Sequence, residues 1–300
     1  MSERFVHLNG RLVRAGEARI SAGDAGLLHG ASTFTTMRAH NGVVFRLDRH
    51  IRRLLDTADF LGFQTGADPA TLTAATGAVL EANALREARV RVTLTPGPVG
   101  SWREDNAPSS KPTGTALITA EDLGTLPHWW YEEGLTVAVA SFKQRRGDPT
   151  AGVKTGCYLP RILARQEAGA KGAAEALWFT TDNRLAEACF CNVFLVAGET
   201  VRTPPRDTPV LPGVVREAVG EICRHRGIEY DDNTSLTVED MLAAEEMFLT
   251  SSVSGLRPVV RVEQHVVGDG KPGQMTRIIA SAYGALLDGE CATPEGGATT

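Results

Sequence analysis

From Arg89 to Thr95 the chain alternates charged or hydroxylic residues with Val90, Val92 and Leu94, and the pattern stops at Pro96-Gly97. A period of two places alternate side chains on opposite faces, so this segment is a strand that buries one face only. The fold must therefore contain a sheet with a covered face. Two Asn-Gly pairs extend that sheet. Asn9-Gly10 lies between Phe5–Leu8 and Arg11–Val13, and Asn41-Gly42 lies between Phe34–Ala39 and Val43–Arg46. Each is a hairpin signal, because both residues of the tightest hairpin turn need positive φ. Helical spacing follows at Ile51, Leu54, Leu55, Ala58 and Leu61, with Asp48 placed to cap. Residues 70–87 read as a second helix and Thr115–Thr119 as another strand.

The second half has a different texture. Leu135–Ala140 and Ala176–Thr180 read as strands, and Ala186–Val196 as one more, beyond a turn at Asp182-Asn183. Pro160–Gly169 is helical. Pro212-Gly213 opens a helix that runs to Arg226 and ends at Gly227. A further helix precedes the apolar Met247–Thr250. The class is α/β, in the mixed α and β sense. With 300 residues the chain suits two domains. We place them at 1–120 and 132–285, with a connector at 121–131 and a small polar tail, read as disordered, at 286–300. The stretch 98–113, rich in Pro, Gly, Ser and charge, reads as a mobile loop.

Several functional classes are disfavoured. The net charge is −5, and no basic stripe suggests a nucleic-acid partner. No apolar run approaches the roughly 18 residues of a membrane span. Met1–Phe5 lacks the pattern of a signal peptide, so a cytoplasmic location is expected. The five cysteines fit no zinc spacing and read as reduced and structural. Cys189 and Cys191, on one strand, would share a face. The seven histidines form no metal-ligand cluster.

Five places could carry chemistry. Lys154, in Gly152-Val153-Lys154-Thr155-Gly156, has small and apolar neighbours. A lysine is usually solvated, but one that forms a Schiff base needs a partly dry setting that lowers its pKa. Glu187 lies in the otherwise apolar or small Leu185–Cys191 run, where a carboxylate is costly unless paired. Its partner could be an arginine, or the pyridine nitrogen of pyridoxal phosphate, which a carboxylate keeps protonated. Arg53 on the first helix is either solvated or a phosphate ligand. Leu211–Arg216 puts a glycine at a helix start, where an anion can approach free amides. Thr250-Ser251-Ser252 is a hydroxyl cluster after an apolar strand.

Order and spacing join these places. Val153–Leu159, Glu167-Ala168 with Gly172, Leu185–Glu187, Asn192–Phe194, Thr203-Pro204, Leu211–Arg216 and Glu245–Ser252 follow one another along the chain. This series resembles the class-IV aminotransferases, which include branched-chain aminotransferase, D-amino-acid aminotransferase and 4-amino-4-deoxychorismate lyase. The resemblance spans about residues 5–285. It implies a two-domain, fold type IV, D-amino-acid aminotransferase-like enzyme with pyridoxal 5′-phosphate between the domains. It further implies a homodimer whose sites borrow residues across the interface.

Position by position, the resemblance makes Lys154 the Schiff-base residue and Glu187 the partner of the pyridine nitrogen. Arg53 would hold the phosphate, with the amides of Val214 and Val215 and the hydroxyl of Ser252. Tyr158 would meet the cofactor's phenolic oxygen. Arg91 occupies a strand where branched-chain enzymes carry an arginine for the substrate carboxylate, and Arg38 could do the same work. Gly30–Phe34 resembles the branched-chain pattern, whereas Phe34-Thr35-Thr36 resembles the lyases, in which Thr35 or Thr36 would relay a proton. The expected activity is transfer of an amino group between an amino acid and a 2-oxoacid. The alternatives are pyruvate elimination from aminodeoxychorismate and a non-catalytic pyridoxal-phosphate-binding protein.

Overall fold

A computed structural model describes residues 4–99 and 114–292. The chain divides into two compact units. The first comprises the described residues up to Gly124, the segment Lys154–Cys157 and the described residues from Leu287 on. The second comprises Thr125–Val153 and Tyr158–Leu286.

The first unit is built on a six-stranded sheet in the order β2-β1-β6-β5-β3-β4. Its strands are β1 (Phe5–Leu8), β2 (Arg11–Arg14), β3 (Thr33–His40), β4 (Val43–Val44), β5 (Ala88–Thr95) and β6 (Thr115–Asp122), and its first helix is the short α1 (Ala25–His29). Every pairing in it is antiparallel. Both Asn-Gly turns form, with positive φ at Asn9, Gly10, Asn41 and Gly42. The alternation in β5 is realised. Val90, Val92 and Leu94 are buried with Met37 against α2 (Leu47–Phe60) and α3 (Pro69–Ala82), whereas Arg89 and Arg91 point to the other face. Asp68 caps α3 through Thr71 N, at 3.0 Å. At α2 the expected cap differs. Arg46, at φ 50°, occupies the cap position and Asp48 lies in the first turn. The Arg46 guanidinium is held by Glu290 at 2.9 Å, so a distant ion pair fixes this turn.

The second unit holds a nine-stranded sheet, β12-β11-β10-β13-β14-β7-β8-β9, with β15 on β14. These strands are β7 (Leu135–Val139), β8 (Glu175–Phe179), β9 (Leu185–Ala188), β10 (Asn192–Ala197), β11 (Thr200–Arg202), β12 (Glu229–Asp231), β13 (Glu246–Ser251), β14 (Gly255–Val262) and β15 (His265–Val266). Leu135, Val137, Leu177, Val193, Leu249 and Val259 line one buried face. On the other face Phe194 stacks on Phe248 at 4.7 Å. The helices are α4 (Trp129–Glu132), α5 (Leu159–Ala170), α6 (Val214–Arg226), α7 (Val238–Ala243) and α8 (Gln274–Glu290). No helix among the described residues is long and apolar enough to cross a membrane.

Three expectations change. The run 186–196 is two strands rather than one, because the chain turns at Cys189–Cys191, where Ala188 N donates to Cys191 O at 2.8 Å. The segment Lys154–Cys157 packs with the first unit although its neighbours in sequence belong to the second. Its backbone explains why: Phe34 N donates to Lys154 O at 3.2 Å and Gly156 N to Ser32 O at 2.7 Å. Part of the expected tail, up to Glu290, completes α8, and residues 293–300 lie outside the described residues. Most of the loop expected at 98–113 also lies outside them.

Candidate functional site

Lys154 is fixed from below by β3. Besides the Phe34 amide, the Thr33 hydroxyl donates to its carbonyl at 3.0 Å, and Thr33 and Thr155 form a β-bridge. Gly156 makes this approach possible, since a Cβ there would lie 2.0 Å from Ser32 Oγ. The Lys154 ammonium stands 4.6 Å from the centre of the Phe34 ring, and the Arg91 guanidinium 3.6 Å from the same centre. Arg91 Nε also donates to Thr93 at 3.1 Å, which holds its plane.

Arg53 and His50 sit three residues apart on one face of α2, and both reach Thr35. Arg53 Nη2 donates to Thr35 Oγ1 at 3.2 Å, and Thr35 Oγ1 lies 2.9 Å from His50 Nδ1. Arg53 Nη2 also lies 3.5 Å from His50 Nδ1. His50 is 1 % exposed. Its pKa is held well below the usual histidine value, chiefly by burial and then by the Arg53 and Lys154 charges. It is neutral at pH 7. Arg38 is placed differently: it pairs with Glu87 at 3.4 Å, so Arg91 rather than Arg38 shares the Phe34 ring with Lys154.

In the second unit Glu187 lies in the fully buried β9, with a side chain only 4 % exposed. One carboxylate oxygen meets Arg161, and the other accepts from Leu211 N at 3.0 Å. Arg161 on α5 was not legible as a site residue. Its guanidinium lies between Tyr158 and Trp178, 5.4 and 5.5 Å from their ring centres. Tyr158 also stacks on Phe190 at 5.7 Å.

The loop before α6 is tied to the sheet. Asn192 Nδ2 donates to Leu211 O at 2.9 Å, and a Cβ at Gly213 would stand 2.1 Å from Asn192 Oδ1. The helix then starts at Val214 and Val215, whose amides precede the intrahelical ladder. Across the sheet Asn192 pairs with Thr250, and Thr250 Oγ1 is buried without a hydrogen-bond partner among the described residues. Ser252 occupies the turn between β13 and β14. All five cysteines are free, and burial pushes the Cys189 and Cys191 thiols up to about 12 and about 11.

A sequence profile of amino-transferase class IV matches residues 32–262. The chain belongs to the class-IV aminotransferases. It is 29 % identical to the branched-chain-amino-acid aminotransferase of Escherichia coli K12, covering 95 % of this chain and 94 % of that one. It is 27 % identical to the aminodeoxychorismate lyase of Bacillus subtilis over 93 % of each chain. The crystal structure of the Escherichia coli branched-chain amino acid aminotransferase superposes with a TM-score of 0.89 at 27 % identity, covering 98 % of both chains. The class-IV family consists of enzymes that depend on pyridoxal phosphate, and its fold is the one described above.

Proposed function

We propose that this protein is a pyridoxal-phosphate transaminase that moves an amino group between an amino acid and a 2-oxoacid, with Lys154 as the catalytic amine. The residues present fit that cofactor by the chemistry of their donors. An aldehyde needs an amine, a ring nitrogen needs a carboxylate, and a phosphate needs a cation with amide and hydroxyl donors. Lys154, Glu187 and Arg53 supply the first three. The amides of Val214 and Val215 and the Ser252 hydroxyl supply the last, and Tyr158 is offered to the phenolic oxygen. Two carboxylate oxygens provide about four acceptor sites. Arg161 and Leu211 take two, which leaves Glu187 able to accept from the ring. The unpartnered Thr250 hydroxyl is a further donor on the same face as Asn192.

When bound, pyridoxal phosphate supplies the electron sink that makes the Cα–H of an amino acid acidic. The chain's own groups do the rest. Lys154 Nζ would hold the cofactor's aldehyde and, once freed from it by the substrate amine, would carry the proton taken from Cα. Arg53, its fork held by Thr35, fixes the phosphate and hence the register of the reacting atoms. Arg91 holds the substrate carboxylate. The single observation that carries this reading is the Phe34 ring, which has the Lys154 amine and the Arg91 guanidinium packed on it together. An amine and a cation gathered on one ring are the two groups an α-amino acid requires, one for its proton and one for its carboxylate. Thr35 is engaged by both Arg53 and His50, which favours a positioning role over the proton relay a lyase would ask of it.

We further propose that the working form is a homodimer. Leu159, Ile162 and Leu163 form an exposed apolar face on α5, and Phe190 is also exposed. Sedimentation would show a monomer if this is wrong. The activity is tested by the visible band of the cofactor-loaded protein with a panel of L- and D-amino acids. A transaminase loses the band with its donor and regains it with a 2-oxoacid. A band that no amino acid removes, together with release of pyruvate from aminodeoxychorismate, would instead make the protein a lyase.

A further inference from the structure

Arg161 is in an unfavourable place for a cation. It lies in the first turn of α5, where the helix dipole presents its positive end, and only 18 % of its side chain is exposed. Three acceptors compensate. Nη1 donates to Ala188 O at 3.1 Å and to Cys189 O at 2.9 Å, and Nη2 donates to Glu187. The two carbonyls belong to the corner where β9 gives way to β10, so one planar fork ties that corner to the carboxylate beside it. The rings of Tyr158 and Trp178 lie near the guanidinium and exclude water from it. Burial, the largest single influence, would lower the pKa of Arg161, but Glu187, Tyr158 and Cys189 together outweigh it and the net shift is upward. The arginine is a permanent charge in direct contact with Glu187.

We propose that Arg161 is a positioning residue that fixes the direction of the Glu187 carboxylate and shares its charge, and so sets how much negative charge faces the cofactor's ring nitrogen. This rests on the assignment of Glu187 to that nitrogen. A lysine could not replace the arginine fully, because an ammonium is a point charge and cannot span two carbonyls and a carboxylate in one plane. In this proposal Arg161 acts through Glu187, which its Nη2 contacts.

The test compares R161M, R161K, E187Q and the double variant R161M/E187Q by two readouts. One is the pH midpoint of the cofactor's visible band, and the other is the dissociation constant of pyridoxal phosphate from fluorescence quenching. With Glu187 present, R161M should move the midpoint upward by about one pH unit, because an unshared carboxylate stabilises the protonated cofactor. It should also weaken binding about tenfold, because the carboxylate loses the fork that fixes its direction toward the ring. R161K should recover part of both changes. In the E187Q background, R161M should change neither. Equal effects in the two backgrounds, or no effect with Glu187 present, overturn the proposal. If E187Q alone changes neither readout, the ring-nitrogen assignment itself is wrong and the proposal falls with it. If E187Q changes both and R161M changes nothing, only the role of Arg161 is lost. Should R161M not fold, R161K in the two backgrounds makes the same comparison, because it keeps the charge and loses the fork.

Discussion

Acid should destabilise this protein through His50 in a way that a single substitution isolates. The ring is 1 % exposed, and its pKa lies well below 6.5 because of burial and the charges of Arg53 and Lys154. In the unfolded chain the histidine takes a proton near pH 6.5, whereas in the folded protein it resists protonation. As pH falls below 6.5 the unfolded state therefore binds more protons and gains stability. The contribution of the neutral ring is complete above 6.5. It is lost at about 1.4 kcal/mol per pH unit below that value until the folded-state pKa is reached. His50→Asn keeps an acceptor near Thr35 and removes the titration. The assay is urea unfolding of wild type and variant at several pH values from 7.5 to 5.5 at fixed ionic strength. Protein stripped of cofactor is used, so that no phosphate offsets the Arg53 charge. The stability difference between the two proteins should be flat above pH 6.5 and fall with the stated slope below it. His7 and the carboxylates titrate in both proteins and cancel. Parallel curves across the whole range would refute the reasoning. If Arg53 holds the phosphate, adding pyridoxal phosphate should raise the pH at which this loss levels off, because a phosphate dianion there would reduce the charge that His50 feels.

Other outcomes follow from the same geometry. Gly156→Ala places a methyl 2.0 Å from Ser32 Oγ, so it should cost about 1–3 kcal/mol in thermal unfolding and lower cofactor incorporation. Pairing it with Ser32→Ala should recover part of that loss. Arg53→Ala should weaken pyridoxal-phosphate binding by about tenfold or more, the loss of charge-assisted hydrogen bonds, and unchanged affinity would contradict its phosphate role. Arg91→Leu should raise the KM for the amino-acid donor about tenfold while leaving the visible band of the loaded protein in place, and an unchanged KM would move the carboxylate anchor elsewhere.

The sequence was most informative where the cause is local. Asn9-Gly10 and Asn41-Gly42 announce their turns because few residues accept positive φ, and β5 announces its two faces by period alone. Gly227 ends α6 at φ 67° for the same reason as the turns. The roles proposed for Lys154, Glu187 and Arg53 rest on the order of short blocks along the chain. What was hidden depends on partners far away in sequence. Arg161 reads as an ordinary helix arginine until Glu187, 26 residues on, is seen beside it. The cap at Arg46 depends on Glu290, 244 residues away, and Asp48 was the better guess on local chemistry. The corner at Cys189–Cys191 interrupts an apolar run that local pattern continues as one strand. The placement of Lys154–Cys157 with the first unit is set by backbone bonds to Ser32 and Phe34, which no side-chain pattern encodes. His50 had a usable signal, since its spacing of three from Arg53 puts both on one face of a helix.

The central claim is that Lys154 bonds the cofactor. Borohydride reduction of the protein with pyridoxal phosphate, followed by peptide mass mapping, tests it most directly. The account predicts one reduced pyridoxyl adduct, on Lys154, and its absence from the Lys154→Ala variant. An adduct on another lysine, or none on Lys154 in protein that keeps its visible band, would contradict it.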